Sequence, residues 1–306
     1  MKWSSNLQPQ TESIMIPSFD YKTPKTLQEA CDLLQEAHGK AKIIAGGTDL
    51  VIGLRNGDSN PSLLIDITSL KELRRIEETD ETLSVGAAVT HSEIASSPLV
   101  RQYGIVLSKA ASEIGSPQIR NLGTIGGNIV NGSPAADTLP PLIVLDAIGK
   151  VISRDRERNV PVAQLVKGPY ETSLKPSEIL VGVSFKKLSQ DIRSGFIRLA
   201  RREAMAIARM SIALLLQVQE GKIQNIRIAP GAILPTPQGL SDVEEFLKGK
   251  SPDEEVLRIA SRKVSEAMIR RSGIRPSAPY KAPVVEALFL RAMRRALEGQ
   301  DETGRS

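Results

Sequence analysis

Two clusters of glycine constrain this chain more than any other feature. Asn121-Leu122-Gly123-Thr124-Ile125-Gly126-Gly127-Asn128 places three glycines within five positions, and Gly46-Gly47-Thr48-Asp49 follows the apolar run Ala41 to Ala45. Glycine admits positive φ and lets another backbone or a ligand approach with no side chain in the way. Successive N–H groups at each cluster are therefore expected to converge on an anion such as phosphate. Thr124 adds a hydroxyl, and Asn128 adds a side-chain amide. Neither loop carries a Gly-Lys-Ser/Thr ending or the G-x-G-x-x-G of a Rossmann turn, which argues against phosphoryl transfer. One such loop is an ordinary turn in most chains, but a pair that takes opposite sides of one pyrophosphate points to a dinucleotide.

The chain has 306 residues, enough for two domains with a sizeable core. Its longest apolar stretches, such as Ile212 to Leu216, fall far short of a membrane span. Met1 to Ser13 has one lysine and no apolar segment, so it reads as a polar extension and not a signal peptide, and the expected compartment is cytoplasmic. A net charge of +5 is spread through mixed-sign segments, and aromatics make up only 3% of residues, which argues against nucleic-acid binding. Cys31 is the single cysteine, so the chain alone offers neither a disulfide framework nor a cysteine-held iron–sulfur cluster; a buried apolar role is expected. His38 and His91 lack metal-ligand spacing and read as surface or helix-end residues. No histidine is expected to lie beside either glycine loop, so a bound cofactor would be held without a covalent histidyl link.

The first third alternates helices and strands. Thr26 with Glu29 forms an expected capping box, and Leu27, Ala30, Cys31, Leu34 and Ala37 share one helical face that Gly39 ends. Ala41 to Ala45 and Leu63 to Ile67 read as short buried strands of a small α/β unit. Leu73 to Ile76 and Leu83 to Ala87 suggest a hairpin, Thr90 with Glu93 caps a helix, and Val106 to Ile114 give another that stops at Gly115. The cofactor loop is then expected as a turn-rich connection. Val151 to Ser153 with Val160 to Leu165 read as a hairpin, and Glu178 to Phe185 as a strand. Beyond the polar stretch Leu188 to Arg193, Ser211 to Val218 and Lys222 to Ile228 form a hairpin around Glu220-Gly221. Helices follow, one opened by Ser241 with Glu244, so this part is expected to be α+β, an antiparallel sheet covered by helices. The expected domains are an extension over 1–13, a domain over 14–188 with subdomains about 14–68 and 69–188, and a C-terminal domain over 193–298.

Ala45-Gly46-Gly47-Thr48-Asp49-Leu50, Gly115-Ser116-Pro117-Gln118-Ile119-Arg120-Asn121 and Gly123-Thr124-Ile125-Gly126-Gly127-Asn128 resemble, in order and spacing, the FAD-binding subunit of molybdenum hydroxylases. That family includes the flavoprotein subunits of xanthine, nicotinate and carbon monoxide dehydrogenases, and the resemblance runs from about Ile14 to about Leu297. It implies a two-subdomain FAD-binding domain of the vanillyl-alcohol-oxidase type followed by an α+β C-terminal domain. It also implies non-covalent FAD contacts from Lys42, Ile43, Ile44, Ala45, Gly46, Gly47, Thr48, Asp49 and Leu50, and from Ile119, Gly123, Thr124, Ile125, Gly126, Gly127 and Asn128. Asp137 would accept hydrogen bonds from the flavin's sugar-alcohol chain, or else cap the following helix. Leu180 would touch the flavin, or else be strand core. Arg198 stands where the family commonly has lysine, which replaces a compact ammonium with a planar fork and alters any contact to the ring.

The sequence has no serine–histidine–acid set, no closely paired carboxylates and no activated thiol, so a bound cofactor must carry any redox chemistry. The resemblance supplies a complex around it. A molybdopterin-binding large subunit hydroxylates the substrate, an iron–sulfur small subunit relays electrons, and this chain hands them to an acceptor such as NAD. A stand-alone FAD oxidoreductase and a non-redox nucleotide-binding protein are the rival readings.

Overall fold

The computed structural model describes residues 18–200, 208–273 and 278–298. The N-terminal extension and the segment Arg201 to Glu203 lie outside them. The first unit runs β1 (Asp20–Lys22), α1 (Leu27–Glu36), β2 (Ala41–Ile44), α2 (Leu50–Asn56) and β3 (Leu63–Asp66). Its strands are all parallel in the order β1-β3-β2, with Ile43 opposite Ile65. Thr26 accepts the Glu29 amide at 3.1 Å and so caps α1. The expected box is only half formed, because the Glu29 carboxylate accepts from the Lys25 amide and not from Thr26. Ala30, Cys31 and Leu34 turn inward, and the helix ends where His38 and Gly39 take φ of 47° and 84°.

The second unit opens with a 3₁₀ turn, Lys71–Arg74, which takes Leu73 out of the expected hairpin. It continues through β4 (Ile76–Glu78) and β5 (Thr82–Gly86). Six short helices follow: α3 (His91–Ser96), α4 (Pro98–Tyr103), α5 (Ile105–Ser112), α6 (Pro117–Leu122), α7 (Ile125–Asn131) and α8 (Leu139–Val144). The connection expected to be turn-rich is thus largely helical. Each of its helices is too short to stand alone and depends on packing. The Thr90–Glu93 box is complete, with the Thr90 amide on Glu93 at 2.7 Å and the Glu93 amide on Thr90 at 3.2 Å. After β6 (Ile148–Ile152) and β7 (Glu157–Pro161) come a helical turn α9 (Val162–Leu165), where strand was expected, then β8 (Val166–Gly168), β9 (Glu171–Thr172) and β10 (Ile179–Lys186). The main sheet has the antiparallel order β4-β5-β10-β6-β7.

The third unit pairs β11 (Ile192–Ala200), β12 (Ala208–Gln219) and β13 (Lys222–Gly231) in sequence order, all antiparallel. Glu220 and Gly221 close the β12–β13 hairpin with φ of 51° and 72°, as a primed turn requires. Helices α10 (Ser241–Leu247), α11 (Glu254–Ser272) and α12 (Ala278–Glu298) cover one face. Ser241 is the first helical residue and not the cap, and Glu244, expected as its box partner, accepts the Ile228 amide at 2.8 Å. Alternation along β12 explains its unbroken apolar run. Met210, Ile212, Leu214 and Leu216 face α11 and α12, whereas Ala213 and Leu215 join the core of the second unit. Both faces are therefore buried. No helix among the described residues is long and apolar enough to cross a membrane.

Candidate functional site

The first glycine loop leaves β2 at the carboxyl end of a parallel sheet, where such sheets place ligands. Lys42 is exposed and Ile43, Ile44 and Ala45 are half-buried on the approach, while Asp49 stands at the N-cap of α2 and makes no capping bond of its own before Leu50 opens the helix. Gly47 needs its glycine for a φ of 68°. Among the described residues, the N–H groups of Gly46, Gly47, Thr48 and Asp49 have no acceptor. Backbone donors left open in this way are ready for an outside acceptor.

The second loop is brought directly against the first. A Cβ on Gly46 would stand 1.8 Å from the Leu122 carbonyl oxygen, so the two loops touch backbone to backbone. Its amides are differently employed from what the sequence suggests. Gly123, Ile125, Gly126 and Asn128 donate to Ile119, Val89, Ala87 and Thr124 carbonyls. Gly127 donates to the Thr124 hydroxyl at 3.1 Å, which makes Thr124 the cap of α7 and turns the expected donor into an acceptor. This loop is therefore a fixed wall and not an open nest. Ile125 is wholly buried in the core and presents no side chain to a ligand. Gly127 is exposed, and a Cβ there would meet only Thr124. Asn128 accepts from the Thr138 hydroxyl at 2.6 Å, which leaves its N–H₂ as the donor end. Ile119 is 39% exposed on α6, beside Gly115.

His91 corrects the sequence reading. It is only 2% exposed, its amide donates to the Gly123 carbonyl at 3.0 Å, and its ring packs against Gly123, so a histidine does lie beside a glycine loop. Sequence distance hid this, because the loop returns to α3 through the bridge between Thr90 and Thr124. Its Nδ1 is buried without a partner. Burial and the nearby Arg120 charge push its pKa down to about 4, so the ring is neutral at physiological pH.

Asp137 and Arg198 are brought together by tertiary structure alone. Arg198 Nε donates to Asp137 Oδ2 at 2.9 Å, both side chains are 6% exposed, and Oδ1 is buried with no partner. The capping alternative falls, since Thr138 holds the N-cap of α8. Burial pushes the Asp137 carboxyl up to about 6; Arg198 opposes this, and Glu113 adds to it. Leu180 is 4% exposed within the core of the second unit, close to Gly149.

Open amides on the first loop, a bare exposed Gly127 in the second and the unpartnered Asp137 Oδ1 fit a ligand carrying a diphosphate and hydroxyl groups. With a small parallel unit, a larger antiparallel one and an appended α+β domain, they define the class of FAD-binding flavoproteins. The chain belongs, more narrowly, to the FAD-binding subunits of the molybdenum hydroxylases. Residues 17–185 match the FAD binding domain in molybdopterin dehydrogenase, and residues 196–296 match the CO dehydrogenase flavoprotein C-terminal domain. The nicotinate dehydrogenase FAD-subunit of Eubacterium barkeri is 33% identical over 276 residues, 89% of this chain and 93% of the relative. The nicotine 6-hydroxylase medium subunit of Paenarthrobacter nicotinovorans is 31% identical over 91% of this chain and 97% of its own. Among solved structures, a chain of carbon monoxide dehydrogenase from Hydrogenophaga pseudoflava superposes with a TM-score of 0.88 at 29% identity, covering 93% of this chain and 99% of that one. The cofactor is accordingly FAD, and the chain is a flavoprotein subunit of an oxidoreductase.

Proposed function

We propose that this chain relays electrons from the iron–sulfur clusters of a small partner subunit, through non-covalently held FAD, to an external acceptor such as NAD, within a complex whose molybdopterin-binding large subunit oxidises the substrate. The observation that carries the site is the run of open amides from Gly46 to Asp49 on a loop that meets the second glycine loop at Leu122 and Gly123. FAD accepts electrons one or two at a time, and the protein's part is to hold and orient it. A single cysteine in the sequence supports an outside source of electrons, because this chain has no thiolate set for a cluster. Non-covalent binding is supported by the burial of His91, whose ring lies beneath the loop with no free edge toward solvent. A cytoplasmic location, the domain limits 14–188 and 193–298 and the individual FAD contacts belong to the same proposal.

The test is anaerobic reduction of the FAD-loaded chain with purines, nicotinate and aldehydes, alone and then with both partner subunits. Bleaching is expected only in the complete mixture. Bleaching of the isolated chain by any of these compounds would replace the relay with a stand-alone oxidoreductase. Acid precipitation should release FAD into the supernatant, and flavin retained in the pellet would show a covalent link.

A further inference from the structure

Asp137 lies on the turn before α8 and Arg198 on β11, so their bond crosses from the second unit to the C-terminal sheet. One carboxylate oxygen is satisfied and the other, equally buried, is not. Glu113, just past α5, is the other carboxylate near the pair among the described residues. It is pushed up by burial and faced by Arg198, by Arg295 on α12 and by Lys109 on α5. This is a half-completed acceptor site inside a cluster of charges.

We infer that Asp137 makes cofactor loading a proton-linked event: a hydroxyl of the bound nucleotide donates to Oδ1 and holds the carboxylate ionised against Arg198, so that loading expels a proton and acid expels the cofactor. This rests on the FAD site proposed above. A hydrogen bond donated to a carboxylate favours its charged form and lowers its pKa. Asp137 titrates at about 6 in the cofactor-free chain, so near that pH about half the molecules must lose a proton to accept the hydroxyl. The pyrophosphate of FAD is ionised throughout this range and contributes no proton. His91, held near 4, stays neutral over most of it. If binding lowers the Asp137 pKa by about one unit, affinity weakens roughly five- to tenfold between pH 8 and pH 5.

The experiment is calorimetric titration of FAD into the cofactor-free full chain from pH 5 to pH 8, in two buffers of unlike protonation enthalpy. Proton release is expected to peak at about pH 5.5, midway between the free and bound values, and vanish by pH 8. Asp137→Asn should abolish the release and flatten Kd across the range, whereas Glu113→Gln should keep it with a midpoint at lower pH, because an anionic neighbour is gone. Infrared spectra of the unmutated chain give a second reading that does not depend on how Asp137→Asn folds. A protonated-carboxyl band present at pH 5.5 should lose intensity when FAD is added. Buffer-independent heats with a flat Kd, an undiminished band, or survival of the linkage in Asp137→Asn would overturn the inference and leave FAD binding intact. Absence of FAD binding at every pH would overturn the site itself.

Discussion

Replacing Gly127 by alanine should change folding and binding in opposite directions. Gly127 is the third residue of α7, is exposed, and leaves room for a Cβ except toward the Thr124 hydroxyl oxygen at 3.1 Å. Glycine within a helix costs up to about 1 kcal/mol relative to alanine. Near the helix end, and with Thr124 giving way slightly, part of that gain should survive in the cofactor-free protein. A gain of this size raises Tm by about 2 °C or less in a chain this long. In the loaded protein the same methyl stands where the pyrophosphate is proposed to approach the backbone. Displacing one charge-assisted hydrogen bond removes about 1.5–3 kcal/mol, or roughly 10- to 100-fold in Kd. Scanning calorimetry of the cofactor-free protein and quenching of flavin fluorescence on titration give the two quantities separately. Gly127→Ala that keeps the unmutated Kd, and Gly127→Val that still binds FAD stoichiometrically, would together refute this placement of the cofactor.

Gly46→Ala should behave quite differently, because its Cβ would stand 1.8 Å from the Leu122 carbonyl. Overpacking of this kind costs about 1–3 kcal/mol or more, so the urea midpoint and FAD binding should fall together, and a normally stable Gly46→Ala would show that the loops do not touch. His91 is neutral when folded, with a pKa of about 4 against an ordinary value of 6.5, so the stability tied to its neutral form is complete above pH 6.5 and is lost as pH falls toward 4. The loss is on the order of 3 kcal/mol. Asp137 has the opposite sign: its raised pKa favours the folded state below about pH 4, and that contribution is lost as pH rises through about 6. Urea midpoints at pH 7, 5.5 and 4.5 should therefore fall less steeply in His91→Leu than in the unmutated chain, and equal slopes would refute the burial argument.

The elements with a period of their own were legible in the sequence. The parallel strands around Ile43 and Ile65, the Thr90–Glu93 box and the Glu220-Gly221 hairpin each follow from residues within a few positions of one another. The site was legible as two glycine loops, but their division of labour was not. Whether an amide is open depends on what lies opposite, and the carbonyls of Ala87 and Val89 that occupy the second loop come from a distant strand end. His91 failed for the same reason. A histidine at the start of a short capped helix reads as exposed until the chain returns and buries it under Gly123. Glu29 and Glu244 show how a box signature fails, since in each case another amide offered the carboxylate a bond.

The physical consequence of this arrangement is a site built before its ligand arrives. Ala88 and Ile179 from the second unit complete the core of the first around Ala30, Cys31 and Ile65. Gly46 lets the two units meet backbone to backbone at the crevice itself. The wall formed by α7 is held by its own cap and by bonds to Ala87 and Val89, so binding FAD orders little further chain there. A preformed crevice loses less conformational entropy on binding, and more of the gross interaction energy then appears as affinity. Among the polar groups still without partners are the first-loop amides and Asp137 Oδ1. One set suits a negative charge and the other a hydroxyl, so a diphosphate lacking a polyhydroxyl chain would satisfy only half of the site. ADP should accordingly compete with FAD from the first loop alone. The terminal phosphate of ADP itself titrates near pH 6, so the proton count is made with its β-methyl ester, whose diphosphate stays ionised: it should bind without the release assigned to Asp137, and a proton expelled at pH 6 would show that the two halves of the crevice are not independent.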